Sequence, residues 1–422
     1  MRESLWKLPD VGLIRNESEG ELLLTQAKSY RIPLFCGVTL LFWFSMYTCV
    51  PILAAYVEYL GASHKMAGMI VGMYGLSQML LRIPVGIVSD LFHKRRLFIT
   101  FGLLFSVFSC AGILVSHELT WVLILRALAG AAAATWVDFT ILFASYYKKE
   151  ETTKAMGTIS FYNSMGQMLG ILCGGWFADV FSWEASFLIG AAVGTVGFAA
   201  SFFLVEKFDE SAQKITYAGV KEVASDRILL TVSLLAILFQ LLTFATVFGF
   251  TPVYAQELGA TKLDMGWLTF CSTFPMAIAS WIGGSYVSQK YGEKKVIILG
   301  FILTGVCTVL IPVLSSFWLL LLTQAIAGFG RGFATPLLMS LSIKHMDVGK
   351  RATAMGFYQA IYGLGMFLGP LFMGIAGDVL TLKQGFFIVG LLGCLTAWLA
   401  YKILRLGPDS KPLPAQRQKL QG

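Results

Sequence analysis

Apolar runs separated by short polar breaks make up almost the whole chain. They lie near residues 32–56, 66–89, 97–116, 119–147, 154–178 and 184–206. After a polar interval they resume near 227–255, 264–288, 296–314, 317–342, 352–376 and 384–405. Each approaches or exceeds the roughly 20 residues a helix needs to cross a bilayer core, so the pattern predicts twelve membrane-spanning helices. The longest break, 207–226, carries Lys207, Asp209, Glu210, Lys214, Lys221 and Glu222. It reads as a cytoplasmic linker, partly helical, between a six-helix half at 32–206 and another at 227–405. Residues 1–31 and 406–422 read as solvated cytoplasmic tails.

Composition agrees with this pattern. Of 422 residues, 56% are hydrophobic and 13% charged, with a mean hydropathy of +0.72, too little polar surface for a soluble chain of this size. A net charge of +8 would suggest nucleic acid in a soluble protein, but the cations fall in short clusters between apolar runs, so no nucleic-acid partner is expected. With both termini inside, 26 of the 32 Lys and Arg lie on cytoplasmic segments. Three (Lys65, Lys262, Lys383) lie outside and three (Arg82, Arg126, Arg331) within spans. That bias orients both termini toward the cytoplasm. Residues 1–31 hold no short apolar core, so no cleavable signal is expected. The seven cysteines sit inside apolar runs without a C-x-x-C and read as small core residues. The four histidines are scattered, and neither H-E-x-x-H nor a phosphate loop is present. No metal, cofactor or direct ATP drive is expected, and no nucleophile with a base suggests an enzyme.

The halves repeat. Leu60-Gly-Ala-Ser63 recurs as Leu258-Gly-Ala-Thr261, displaced by 198, and Ala155-Met156-Gly157 recurs as Ala354-Met355-Gly356, displaced by 199. His93-Lys94-Arg95-Arg96 meets Gly292-Glu293-Lys294-Lys295 at the same displacement. Duplicated six-helix halves are one way to build a carrier with its site near the midplane.

Between the second and third runs stands Gly86-Ile-Val-Ser-Asp90-Leu-Phe-His93-Lys94-Arg95-Arg96. The spacing of Gly86, Asp90, Lys94 and Arg95 resembles the loop signature G-x-x-x-D-R-x-G-R-K of the Major Facilitator Superfamily. Leu91 stands where its first Arg is expected and His93 where its second Gly is expected. Leu123-Ile-Leu-Arg126-Ala-Leu-Ala-Gly130 resembles the family's fourth-helix signature L-x-x-R-x-x-Q-G, with Ala129 in place of Gln. The resemblance covers 30–405. It implies the family's fold: an all-α membrane protein of twelve transmembrane helices in two pseudo-symmetric six-helix halves, both termini cytoplasmic. It also implies that Asp90 faces the positive N-terminal end of the eleventh helix, near Arg351. A carboxylate there is stabilised by roughly 0.3–1 kcal/mol, up to about 2 when partly buried, and would help to close the cytoplasmic side.

Glycines punctuate the fifth and eleventh runs. Gly157, Gly166, Gly170, Gly174 and Gly175 of the fifth run are matched in the eleventh by Gly356, Gly365, Gly369, Pro370 and Gly374. Glycines four apart share a helix face and admit a neighbouring backbone, so tight packing explains them. They also resemble an antiporter signature of drug-exporting family members that begins G-x8-G-x3-G-P. Ile171 replaces its proline in the fifth helix, and Pro370 sits at the equivalent place in the eleventh.

Charges at membrane depth are costly and point to function. Arg82, Arg126, Asp138 and Arg331 are such charges, and the family resemblance assigns Arg126 to the central cavity, for proton coupling or substrate contact. Asp138 lies 12 residues beyond Arg126, about 18 Å along the axis and about 120° around it, so these two do not pair. Three readings stand open. Asp138 carries a proton; or Asp138 pairs with Arg82 and leaves Arg126 and Arg331 to attract an anion; or all four neutralise one another and backbone carbonyls. Trp43, Tyr47, Tyr162, Asn163, Gln167, Gln240, Thr243, Tyr358, Gln359 and Tyr362 form the expected cavity lining, since amides within a span face protein or a wet cavity.

The expected function is secondary transport of a small organic compound by alternating access in the plasma membrane, by a monomer with the lipid bilayer, a small-molecule substrate and a coupling ion, H+, as partners. Proton-coupled efflux is the first expectation, from the resemblance. Uptake or exchange of a small organic anion is the alternative.

Overall fold

The computed structural model describes residues 17–147, 151–206, 217–347 and 350–404. Half of the expected linker, 207–216, lies outside the described residues, as do residues 1–16 of the expected N-terminal tail and the tail 406–422. The first half comprises α1 (Glu17–Tyr47), α2 (His64–Phe92), α3 (Arg95–Val115), α4 (Leu119–Ala134, continued as Trp136–Ala144), α5 (Thr152–Val180) and α6 (Trp183–Ser201). In the second half, α7 runs from Arg227–Ala245 through a wider turn, Thr246–Phe250, into Thr251–Glu257. There follow α8 (Lys262–Ile282), α9 (Glu293–Leu310), α10 (Phe317–Lys344), α11 (Arg351–Ile361, continued as Gly363–Val379) and α12 (Leu382–Ile403). No strand occurs among the described residues.

Among the described residues, nine helices are long and apolar enough to cross a membrane. Absent from these are α1, α5 and α8, yet they pack inside the same bundle: α1 against α5 and α6, and α8 against α5 and α10.

Several boundaries differ from the sequence pattern, each for a local reason. The first helix already begins at Glu17, inside the expected tail 1–31, and ends at Tyr47. A separate short helix, Leu53–Tyr59, completes the run expected at 32–56. In the interval expected as a linker, Tyr217–Val223 is helical and packs against Arg351–Ile361, with Lys350 Nζ 2.8 Å from Glu222. The turn after α2 puts His93 at φ 56°, a left-handed conformation that costs a non-glycine residue roughly 1–2 kcal/mol. Gly292, at the equivalent place in the second half, has φ 86°. The glycine of the family signature therefore answers a backbone demand that His93 meets under strain.

Lipid tails are as apolar as side chains, so helices in a bilayer associate through close packing more than through a hydrophobic drive. The glycines supply that closeness. A Cβ on Gly166, Gly170 or Gly174 of α5 would strike the carbonyl of Leu40, Phe44 or Thr48 on and just beyond α1. On α11, Gly365 and Gly369 abut the carbonyls of Ile237 and Leu241 of α7 in the same way. The halves meet along two related seams. In one, α2 lies on α11, with Gly68 against the Pro370 carbonyl and Gly72 against Phe367. In the other, α5 lies on α8, where a Cβ on Gly175 would come within 2.9 Å of the Gly266 Cα. Gly356 is buried, whereas Gly157 is exposed and a Cβ there would meet nothing.

The contrast is testable. Gly166→Ala forces backbone apart and is expected to cost about 1–3 kcal/mol, read as a lower thermal midpoint in detergent. Gly157→Ala should stay within about 0.5 kcal/mol of the parent.

Candidate functional site

Near the end of the bundle where α1 begins and α12 ends, the signature loop forms a buried charge cluster. Arg95 Nη2 donates to the Asp90 carboxylate, and Arg95 Nη1 lies 3.2 Å from Asp138 Oδ1. All three side chains are buried. Glu206 completes the arrangement, accepting from the backbone N–H groups of Arg95 at 3.0 Å and Arg96 at 2.9 Å. A carboxylate on the first amides of α3 is held by the positive end of that helix. Lys94 stays exposed. The Arg351–Ile361 segment of α11 packs against α2, beside the helix that Asp90 ends.

Of the three open readings, this cluster does not fit the Asp138–Arg82 pair: Asp138 meets Arg95 instead. The chain bends at Thr135, whose hydroxyl bonds the Ala132 carbonyl at 2.7 Å, and Asp138 beyond the bend meets Arg95. Arg95 reads in the sequence as one of three loop cations. In the fold it sits in the first turn of α3 with its side chain inside the protein.

Arg82 instead reaches toward the other half. Its Nη1 lies 3.4 Å from the Tyr362 hydroxyl of α11, its Nη2 lies 3.5 Å from the Ala133 carbonyl, and its Nε has no hydrogen-bond partner. Arg126 lies over the ring of Tyr74, its guanidinium carbon 4.7 Å from the ring centroid, and its Nε is likewise unpartnered. Both are about 95% or more buried. Among the described residues neither forms an ion pair. Burying a cation without a counter-charge is expensive, and at the seam between the halves Arg82 and Arg126 bear that cost.

Around Arg126 the halves close through aromatic contacts. Tyr74 stacks on Phe244 with centroids 6.3 Å apart, and Tyr47 meets Phe248 edge-on at 6.1 Å. Tyr47, Tyr74, Arg126, Phe244 and Phe248, with Met46 and Val50, line a cavity of about 10 Å³, scarcely the room for one water. A second cavity, of about 80 Å³, is lined by Gln240, Thr335, Tyr358 and Tyr362 among others. Tyr362 therefore touches Arg82 and borders the second cavity.

The expected lining divides accordingly. Tyr47 borders the first cavity; Gln240, Tyr358 and Tyr362 border the second. Trp43 packs behind Tyr47, ring centroids 5.8 Å apart, and also against Trp136. Thr243 spends its hydroxyl on the Phe239 carbonyl, 2.9 Å away on its own helix. Asn163 and Gln167 hydrogen-bond to each other, and with the half-buried Tyr162 and Gln359 they border neither cavity. Arg331, expected to face the substrate, is buried between α8 and α10 and donates to the Ser272 hydroxyl. The tight α8–α10 contact, with Gly328 against the Ser272 carbonyl, directs it there. Sequence reading missed Tyr74, Phe244, Phe248 and Glu206. An aromatic or a carboxylate in an apolar chain carries no sign of which residue it will meet across the bundle.

A model of the Major Facilitator Superfamily matches residues 35–257 and 232–421. An uncharacterised MFS-type transporter of Methanocaldococcus jannaschii is 23% identical over 359 residues, covering 83% of this chain and 92% of the relative. A protein of Lactococcus lactis described as a homologue of the multidrug resistance efflux pump PmrA is 24% identical over 336 residues, covering 76% and 82%. Among solved structures, the nucleoside transporter NupG superposes with a TM-score of 0.73 at 14% identity, covering 89% of this chain and all of that one.

The charge cluster yields a ranked expectation. Removing one partner of a buried pair costs about 3–5 kcal/mol. Arg95→Gln, which leaves two buried carboxylates facing each other, should lower thermal stability by that amount. Asp138→Asn should cost less, because Asp90 still balances Arg95. The double variant should recover part of the Arg95→Gln loss. Unfolding midpoints of the four proteins in detergent check the order.

Proposed function

The chain belongs to the Major Facilitator Superfamily, and we propose that it carries a small organic anion across the plasma membrane by alternating access. In this reading the twelve long helices all span the bilayer, both termini are cytoplasmic, a monomer is the working unit, and the two halves rock about a site at Arg126 and Arg82. One observation carries it: two buried guanidiniums meet the seam between halves with no carboxylate paired to them among the described residues, while Asp138 is engaged by Arg95.

A carboxylate or phosphate ligand would supply the missing counter-charge, and a guanidinium grips such groups through paired hydrogen bonds. The aromatic walls of Tyr47, Tyr74, Phe244 and Phe248 suit an organic body attached to that charge. The pair of Asp90 and Arg95, beside the N-terminal segment of α11, would help to close the cytoplasmic side. A proton gradient is the simplest drive: one charge moved through 100 mV is worth about 2.3 kcal/mol.

Proton-coupled efflux of drug-like compounds is the second reading. The glycine series ending in Pro370 favours it, as does similarity to the relative named for multidrug efflux. Asp138 would then carry the proton, and its release from Arg95 would couple protonation to the inner gate.

Flux into vesicles holding the purified protein separates the two. Hydrogen bonds to charged groups contribute about 1.5–3 kcal/mol, so Arg126→Gln and Arg82→Gln should each cut organic-anion flux roughly 10- to 100-fold. Arg331→Gln, whose guanidinium borders neither cavity, should alter it far less. Proton flux driven by lipophilic cations, intact in Arg126→Gln and abolished by Asp138→Asn, would overturn the anion reading in favour of the second.

A further inference from the structure

At the opposite end of the bundle, where α2 and α8 begin, each half caps a helix of the other. Asp378, next to last in α11, accepts from the first two amides of α2: His64 N–H to Oδ1 at 2.9 Å and Lys65 N–H to Oδ2 at 3.0 Å. Asp179, next to last in α5, accepts from the first amide of α8, Lys262 N–H to Oδ1 at 3.2 Å. The two carboxylates are 199 residues apart, the displacement of the internal repeat. Each therefore stands at the same place in its half.

We propose that Asp179 and Asp378 are the outer gating residues of the transport cycle, a pair of carboxylate latches that hold the two seams shut. The inference rests on alternating access but not on the choice of substrate. The first amides of a helix lack intrahelical acceptors and carry its positive end. Within α2, Ser63 Oγ serves the Met66 amide at 3.3 Å, and the Ser63 carbonyl serves Ala67 at 2.9 Å. The His64 and Lys65 amides are left for the opposite half. Within α8, Thr261 Oγ1 serves the Asp264 amide at 3.2 Å, and Lys262 N–H turns outward to Asp179. A helix whose end is completed only by the facing half is stabilised in the closed state and loses that partner when the halves separate. Water can replace the carboxylate after opening, so the latch is reversible.

The surrounding contacts make each latch the end of a continuous seam. Gly374, one turn before Asp378, lies against the His64 carbonyl. Gly175, one turn before Asp179, lies against Gly266. A second contact reinforces the weaker latch: the Lys262 ammonium sits 4.5 Å from the Trp183 ring centroid. The latches are unequal. Asp378 engages two amides and Asp179 one, at the longer distance, so the α2–α11 seam is the stronger closure.

Hydrogen exchange of the full-length protein in lipid nanodiscs, followed by mass spectrometry without added substrate, tests this. Asp378→Ala should speed exchange roughly tenfold in peptides covering 62–70. It should also speed exchange in peptides covering 260–268, which Asp378 does not touch, while peptides covering 88–98 at the opposite end become more protected. Asp179→Ala should act on both seams in the same direction with a smaller effect, roughly threefold. Asp378→Asn, which keeps an acceptor oxygen, should fall between parent and Asp378→Ala. Faster exchange confined to 62–70 in Asp378→Ala would reduce the residue to a local helix cap and overturn the proposal. Unchanged exchange in both alanine variants would overturn it too. General acceleration along the chain, with Asp378→Asn like the parent, would mean that the carboxylate serves folding rather than gating.

Discussion

Everything in this bundle depends on how closely two backbones can approach in a solvent that does not push helices together. Lipid offers no strong hydrophobic drive between helices, so contact must come from van der Waals packing at short range. The chain achieves it with glycines set against carbonyls: α5 on α1, α11 on α7, and the cross-half seams of α2 on α11 and α5 on α8. Backbone packed on backbone through flat faces leaves few interlocking side chains to prevent sliding or tilting. The feature that joins the halves is thus also compatible with their relative motion.

Polar groups then decide what those seams do. At one end a single cation, Arg95, is placed between Asp90 and Asp138, with Glu206 on the neighbouring helix terminus. At the other, carboxylates from each half complete the helix ends of its counterpart. Between them lie Arg82 and Arg126, buried and without an acidic partner among the described residues. The carboxylates are thus gathered toward the ends and the uncompensated cations toward the middle. That polarity is what makes an anion the natural occupant in the proposed reading. The drug-efflux reading must instead draw its selectivity from the aromatic walls, with the proton carried elsewhere.

The length of the apolar runs and the internal repeat made the helical architecture legible in the sequence, because the length of an apolar run is set by bilayer thickness and needs no knowledge of neighbours. The family followed from a short charged loop whose left-handed turn survives even where His93 replaces glycine. Gly166, Gly170, Gly365 and Gly369 were legible as packing positions, since their spacing defines a helix face. Partnerships were not. The sequence left three readings open for Asp138, and the contact with Arg95 was none of those named, because the break in the helix at Thr135 and the inward turn of Arg95 appear only when α3, α4 and the loop are assembled.

The sequence by itself determined roughly where the helices run, which glycines are small enough to lie between them, and that Arg82, Arg126, Asp138 and Arg331 are carried into the apolar interior. The tertiary structure decided which charges neutralise one another. It turned Arg331 toward Ser272, brought Tyr362 to Arg82, and set Asp378 on the first amides of α2, 313 to 314 positions away in the chain. The physical reason is range. Burial and helix formation are fixed by local composition, whereas an ion pair or a helix cap is fixed by a few ångströms between atoms far apart in sequence.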